Sequence, residues 1–354
     1  VPNGDLENSS LAYVRHYIRQ RANLLAVVHL PEDTFIPFGT GVKTSVLFLE
    51  KKQSHRIGTE NINTPSVLDK NATGSIFFGQ VTKLGYLANK NGSVVYQKDD
   101  DGRRCLDELG QPLVDEDISA TVARYLDFQA GQVVDDSDDC FTFPSDQLED
   151  RFDLEYYKPS HQELERVLLE RGAKPLAEVV NIVKRRSPKL QVPEQEVTYI
   201  ELADIDVRYA EICAGNVMRV HELPSRATFE IRAGDIITAV AGNSTGSSKH
   251  MSAWVTPPFD GAVCTNGFRI LEPKDGVEPL YLLYYLRTPY FLKQVYRYRT
   301  GAAIPAISDD DLARVLVFLP SLAEQKELAA QVEQSFALRK QSREVLQSIE
   351  LDLP

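Results

Sequence analysis

The chain has 354 residues, enough for two or three domains, and its 43% hydrophobic and 25% charged composition is that of a globular protein. A formal net charge of −12 argues against a general polyanion binder, but the acidity is concentrated: residues 53–156 carry 9 basic and 20 acidic side chains, whereas residues 157–320 carry 20 of each and can still present a basic face. No stretch approaches 18 uncharged apolar residues, which argues against a membrane span, and four distant cysteines without a C-x-x-C pair argue against zinc clusters and disulfide frameworks.

In chain order, VPNGDLENSS lacks the basic-then-apolar order of a secretory signal, and the scattered cysteines fit an expected cytoplasmic location. Residues 10–29 begin as an amphipathic helix, with Leu11, Val14, Tyr17 and Ile18 at helical spacing and Arg15, Arg19 and Arg21 on other faces. LLAVVHL reads as a buried strand, PEDTFIPFGTG as a turn, and VKTSVLFL as a second strand. That order belongs to the end of a sheet. Residues 53–75 read as loop. IFFGQVTKLGYL and VVYQK read as strands, with NKNG between them as a hairpin signal. SATVARYLDF reads as a short helix and VVDDSDDCFTFPSDQLEDRFD as an acidic linker whose carboxylates are solvated; no calcium-loop pattern is met.

A further domain is expected from residue 151. HQELERVLLERG reads as a helix closed by Gly172, and VTYIELADI and IRAGDIITAVAGNSTG contain strands. PLYLLYYLRTPYFLKQVYRYR is helical and interrupted at Pro289. From Ser321 one long helix is expected, entered through Pro320. Its apolar residues Leu328, Val332, Phe336, Leu338, Val345, Leu346 and Ile349 drift around the axis, which leaves open packing on its own domain or a spacer or dimer contact.

Two family resemblances rest on these segments. VPNGDL, LAVVHLPEDTFIPFGTGVKTSVLFLEK and SIFFGQVTKLGYLANKNG resemble the C-terminal end of adenine-N6 DNA methyltransferases of type I and fused type II restriction–modification systems, over residues 1–128. PLAEVVNIVKRRSPK, YIELADID, IRAGDIITAVAGNSTG and GAAIPAISDDDLARVLVFLPSLAEQKELAAQVE resemble the target-recognition domain of type I specificity subunits, over residues 151–350, and RFDLEYYKP resembles the join in fused chains. The resemblance implies an α/β fragment, the end of a methyltransferase sheet, followed by an α+β target-recognition domain and a long C-terminal helix. The expected division is 1–52 catalytic-domain end, 53–150 methylase extension and acidic linker, 151–320 recognition domain and 321–354 spacer or dimerisation helix. The family's S-adenosylmethionine loop and Asn-Pro-Pro-aromatic tetrapeptide do not occur. The nearest likeness, TPPF at 256–259, lacks the carboxamide and reads as a loop. S-adenosylmethionine is therefore expected in a complete enzyme and not on this chain alone.

Phe35 lies where the resemblance places an aromatic against an extruded adenine; a core role is the alternative. Lys43 and Thr44 begin a strand and either touch the DNA backbone or are ordinary surface. Lys184, Arg185, Arg186, Ser187 and Lys189 form the densest basic cluster, suited to phosphate or guanine. Asn243, Ser244, Thr245, Ser247, Ser248 and Lys249 offer hydroxyls, an amide and an amine on a glycine loop, suited to groove or phosphate hydrogen bonds. Arg297 and Arg299 alternate with Tyr296 and Tyr298 before Thr300, which reads as nucleic-acid contact or core packing. The histidines are assigned no role, Trp254 reads as structural, and no metal site is expected. The expected function is DNA recognition for an adenine methyltransferase whose catalytic motifs lie outside the chain. The alternative is a non-catalytic specificity or assembly module that docks a separate methylase. Expected partners are double-stranded DNA, a missing N-terminal methylase segment or modification subunit, and a second specificity chain or a restriction subunit; no membrane is expected.

Overall fold

The computed structural model describes residues 1–52, 74–132, 134, 136–301 and 304–348. The chain divides into two compact units, Val1–Glu163 with Thr300–Ala302, and Leu164–Arg299 with Ala303–Pro354. The loop expected over 53–75 lies, up to residue 73, outside the described residues, as does Ile349 of the apolar stripe.

In the N-terminal unit, helices α1 (Asn3–Glu7) and α2 (Ala12–Arg21) lead into strands β1 (Ala22–Leu30) and β2 (Thr44–Lys51). Strand β3 (Ser75–Gln80), helix α3 (Ile118–Gln129), strand β4 (Cys140–Pro144) and the short helix α4 (Leu154–Tyr157) follow. The sheet order is β2-β1-β3-β4, with β1 antiparallel to β2 and parallel to β3, and β3 antiparallel to β4. Ala26, Phe77 and Cys140 form a core under Tyr125 and Phe128 of α3. Two sequence expectations change here. CFTFP, read as part of a linker, is the edge strand β4, and its Cys140 and Phe141 are fully buried; four apolar residues sufficed despite acidic flanks. Arg15, placed on an outer face of its helix, is buried. Its guanidinium donates to the carbonyls of Asp5 and Asn8, each at 2.9 Å, and to that of Asp150, so three backbone acceptors replace its water. RFDLEYYKP buries Phe152, Leu154, Tyr156 and Tyr157 in this unit.

The NKNG signal folds as expected: Tyr86 pairs with Val94 across it, and Gly92 takes the left-handed backbone that such a turn needs. Bridges Tyr96–Val114, Lys98–Arg104 and Leu106–Pro112 continue the pairing. Much of the acidic run builds these turns. Asp99 accepts from the backbone N–H groups of Asp101 and Arg103, and Asp107 from those of Leu109 and Gln111.

Helix α5 (Pro159–Glu170) follows and ends as expected, with Gly172 left-handed and donating to the Leu169 carbonyl at 2.9 Å. The C-terminal unit runs β5 (Lys174–Pro175), α6 (Leu176–Val179), β6 (Val180–Val183), β7 (Glu196–Ile200), β8 (Ile205–Asp206), β9 (Glu211–Ile212) and β10 (Asn216–Arg219). It continues with β11 (Ala227–Glu230), β12 (Ile236–Ala239), β13 (Ser252–Trp254), β14 (Val263–Thr265) and β15 (Phe268–Pro273). It closes with α7 (Pro279–Tyr285), α8 (Pro289–Tyr298), α9 (Asp309–Arg314), β16 (Leu316–Val317) and α10 (Leu322–Gln347). One sheet has the order β10-β7-β14-β11 and a second β6-β15-β12-β13-β9-β8, while β16 pairs with β5. Ile200, Phe229, Ile237, Ala253, Cys264, Phe268 and Ile270 bring both larger sheets to one core. The whole is a mixed α/β chain ending in a long helix. TPPF is a 3-10 turn whose Phe259 packs on that core, and Trp254 lies within β13.

Helix α10 opens with a capping box between Ser321 and Glu324. The neighbouring Gln325 is buried. Its side-chain oxygen accepts from the Glu278 backbone N–H at 3.0 Å, and its amide donates to the Pro320 carbonyl at 2.9 Å, which clamps α10 to the entry of α7. Further along, Leu338, Val345 and Leu346 are exposed. Among the described residues, no helix is long and apolar enough to cross a membrane, and no cluster of His, Cys, Asp or Glu could hold a metal ion.

Candidate nucleic-acid interface

The basic run 184–189 divides by burial. After β6 the chain stays extended, with Arg186 bridged to Phe229, so successive side chains alternate. Lys184 and Arg186 face solvent. Arg185 and Ser187 turn inward: Arg185 donates to the Glu230 carbonyl and the Asp235 carboxylate, each at 3.0 Å, and also pairs with Glu272, while the Ser187 hydroxyl donates to Glu230 at 2.9 Å. Lys189 donates to the Gly261 carbonyl at 2.8 Å. Lys184 shares Asp309 with Arg269; burial acts to raise the Asp309 pKa, and these two cations outweigh it and hold it below the ordinary value. Four of the five residues, Lys184 among them, therefore have partners within the fold.

The loop 241–250 is held at its start by backbone. The Gly242 N–H donates to the Pro305 carbonyl and the Ile307 N–H to the Val240 carbonyl, each at 2.9 Å, with Ala241 bridged to Ala306. Inside the loop, Gly246 has φ +75°, and a Cβ there would stand 2.6 Å from the Tyr296 backbone nitrogen. The Gly246 N–H donates to His250 Nδ1 at 3.1 Å, so the ring proton sits on Nε2 and faces the Thr238 hydroxyl at 2.9 Å; that hydroxyl meets Ser252 at the same distance. Burial pushes the His250 pKa down to about 4, which keeps the ring neutral. Thr245, expected to touch a ligand, is buried, and its hydroxyl has no hydrogen-bond partner among the described residues; its carbonyl accepts from Arg299 at 2.9 Å. Asn243, Ser248 and Lys249 are exposed and Ser244 is half-buried.

The Tyr-Arg alternation also splits. Arg297 is buried and donates to Glu165 at 2.6 Å, a structural pair. The Arg299 guanidinium stacks 3.7 Å from the Tyr296 ring centroid beside the loop, and Thr300, half-buried, follows it. Arg299 and the 241–250 loop are thus brought together, whereas Arg297 is withdrawn. In the N-terminal unit, Phe35 lies half-buried in a 3-10 turn (Glu32–Phe38) that Gly39 closes with φ +93°. Its ring centroid is 6.5 Å from that of the largely exposed Phe38. Thr44 opens β2, and its hydroxyl donates to the Val42 carbonyl at 3.0 Å.

The family described as the type I restriction modification DNA specificity domain matches residues 172–350. The chain belongs to this family. Solved structures similar to it include the HsdS subunit from Thermoanaerobacter tengcongensis, 30% identical over 49% of this chain and 43% of that one, with a TM-score of 0.41. A chain described with the complex assembly and conformational transition of the type I R-M system is 29% identical over the same shares, with a TM-score of 0.41. The type IIG restriction endonuclease BpuSI is 10% identical over 94% of this chain and 41% of that one, with a TM-score of 0.40. The chain therefore spans less than half the length of these proteins, and no curated protein matches it.

Within the specificity domain, sequence reasoning missed His250, which organises the loop, and a set of arginines, Arg287 and Arg339, on α10 and the α7–α8 turn. Arg287 and Arg339 are far apart in sequence, and only the fold brings them to one carbonyl.

Proposed function

We propose that the chain is the DNA-recognition part of a restriction–modification adenine-N6 methyltransferase. The C-terminal unit reads one half of a split target in double-stranded DNA and positions the adenine. A catalytic segment outside the chain transfers the methyl group from S-adenosylmethionine to N6. The observation that carries this reading is the family match over 172–350. The geometry supports it: Asn243, Ser244, Ser248 and Lys249 stand on a loop fixed by backbone bonds, and Arg299 flanks it. Short polar side chains on a rigid frame suit base edges, while Lys184, Arg186 and Lys249 suit phosphates. Arg185, Ser187, Thr245 and Arg297 hold that frame, and Thr300 sits at its margin.

For the N-terminal unit the resemblance of residues 1–128 supports a role beside the catalytic segment, with Phe35 stacking on the extruded adenine. The unit's described residues do not fit S-adenosylmethionine. Among its described residues, the left-handed glycines close a 3-10 turn at Gly39 and hairpin turns at Gly92, Gly102 and Gly110 or lie in loops at Gly85 and Gly131, and none leads a strand into a helix. Methyl transfer therefore belongs to the catalytic segment. The partners that complete the activity are a methylase segment or modification subunit, with a second specificity chain through the exposed end of α10, or a restriction subunit.

The test is a mobility-shift assay of the purified chain against a randomised duplex library, followed by a methylation assay with S-adenosylmethionine. A selective shift without methylation, and methylation restored by a modification subunit, are expected. Methylation by the chain alone would falsify the division of labour, and binding without sequence preference would refute the recognition role.

A further inference from the structure

A cleft of about 320 Å³ opens in the C-terminal unit between the turn after α7, the 241–250 loop and α10. Arg287, Arg339, Ser248 and Tyr284 line it, with Val207 and Leu292 as apolar walls. His250 also borders it, but both ring nitrogens are already bonded.

Four arginines gather here, and their partners differ. Arg208 pairs with Asp206 at 3.0 Å and Arg343 with Glu211 at 2.8 Å. Arg287 and Arg339 pair with no carboxylate among the described residues. Arg287 donates to the Val207 and Arg208 carbonyls, at 3.1 and 2.8 Å, and Arg339 donates to the same Arg208 carbonyl at 3.2 Å. Two guanidinium groups thus converge on one oxygen atom while the neighbouring carboxylates are engaged elsewhere. Burial, and then the Arg339 charge, hold the Arg287 pKa below its ordinary value, as like charges in a half-closed cleft do. A guanidinium has five N–H donors in a planar fork, so both retain donors for a tetrahedral oxyanion. The Ser248 hydroxyl adds a further donor, and the Tyr284 phenol, exposed at the rim, another.

We propose that this cleft is a phosphate site, with Arg287 and Arg339 clamping one phosphate and Ser248 and Tyr284 completing its shell. Its ligand, on the DNA-recognition reading on which the proposal rests, is a backbone phosphate of the duplex whose bases the adjoining loop faces; the same chemistry would accept free phosphate or pyrophosphate. The contact carries no sequence information. It sets the register of the duplex against Asn243 and Lys249.

The experiment uses the full chain and its Arg339→Gln and Arg287→Lys variants, with Arg343→Gln as the control whose cation is already paired. Thermal melts confirm that each variant is folded, and Arg339→Gln, on the helix, keeps the test open should the Arg287 variant fail to fold. Affinity for a mixed-sequence duplex is measured between 50 and 200 mM salt. Arg339→Gln is expected to weaken binding several-fold on every sequence and to reduce the slope of log affinity against log salt by about 0.9, the share of one phosphate contact. The control is expected to keep the wild-type slope. Unchanged affinity and slope in folded Arg339→Gln would overturn the proposal. If the wild-type chain binds no duplex, the recognition reading falls, and the cleft is judged by inorganic pyrophosphate alone. Stabilisation of wild type but not of Arg339→Gln in a melt would keep the phosphate site with a free ligand, and equal or absent stabilisation would overturn it.

Discussion

Acidification is expected to loosen the C-terminal unit through one side chain. His250 is almost completely buried between Thr238 and Gly246, and its folded pKa is about 4 against an ordinary 6.5. Between these values the unfolded chain binds the proton and the folded chain does not, so stability rises with pH. The stabilising share is complete above pH 6.5 and is lost as pH falls toward 4. The gap corresponds to roughly 3 kcal/mol, since one pKa unit is about 1.4 kcal/mol. The chain's single tryptophan, Trp254, lies in β13 beside the β12 strand that carries Thr238, so its fluorescence reports on this unit. Urea unfolding followed at Trp254, at several pH values from 7 to 4, is compared for wild type and His250→Gln. The variant removes the titrating ring, so its unfolding free energy should decline less over this range, with the difference approaching roughly 3 kcal/mol. The remaining side chains are common to both proteins and cancel in the comparison. Parallel pH dependences would refute the reasoning and show that the ring charges without cost.

Other substitutions have defined outcomes. Gly246→Ala places a Cβ 2.6 Å from the Tyr296 backbone and demands a left-handed alanine, so it should cost about 1–3 kcal/mol in the same unfolding assay and weaken DNA binding. Arg185→Ala strands Asp235 and Glu272 and should lower stability by about 3 kcal/mol, whereas Lys249→Ala, at an exposed position, should stay within about 0.5 kcal/mol of wild type and reduce the salt dependence of DNA binding. Ser321→Ala removes the capping box of α10 and should cost about 1 kcal/mol, seen as a lower melting temperature.

The order of helices and strands along the chain was largely legible because its signals are local. Pro289 divides α7 from α8, Gly172 ends α5, and the Ser321–Glu324 pair starts α10, each where a backbone rule acts within a few residues. The candidate site was legible as segments and misleading as residues. KRRSPK looked like a uniformly basic loop, but its extended backbone alternates side chains, so Lys184 and Arg186 face out while Arg185 and Ser187 face in. A period of two would have been the only clue, and the run is too short to reveal it. Thr245 and Arg297 turn inward for a related reason: polarity suggests exposure, while Arg297 has a carboxylate partner at Glu165, over a hundred residues away in sequence. Long-range partners of this kind leave no local signature. Gln325 was matched as part of a family motif, and only the fold shows that its amide ties α10 to α7.

The backbone anchoring of the 241–250 loop has an evolutionary consequence. Its start is tied through main-chain atoms of Val240, Gly242, Pro305 and Ile307, and its bend depends on Gly246 and His250. None of these ties uses the side chains of Asn243 or Ser244. Those two positions are free to be exchanged without reshaping the scaffold, so a lineage can acquire a new sequence preference by a substitution or two at nearly constant stability. The frame is inherited, and the reading surface is the replaceable part.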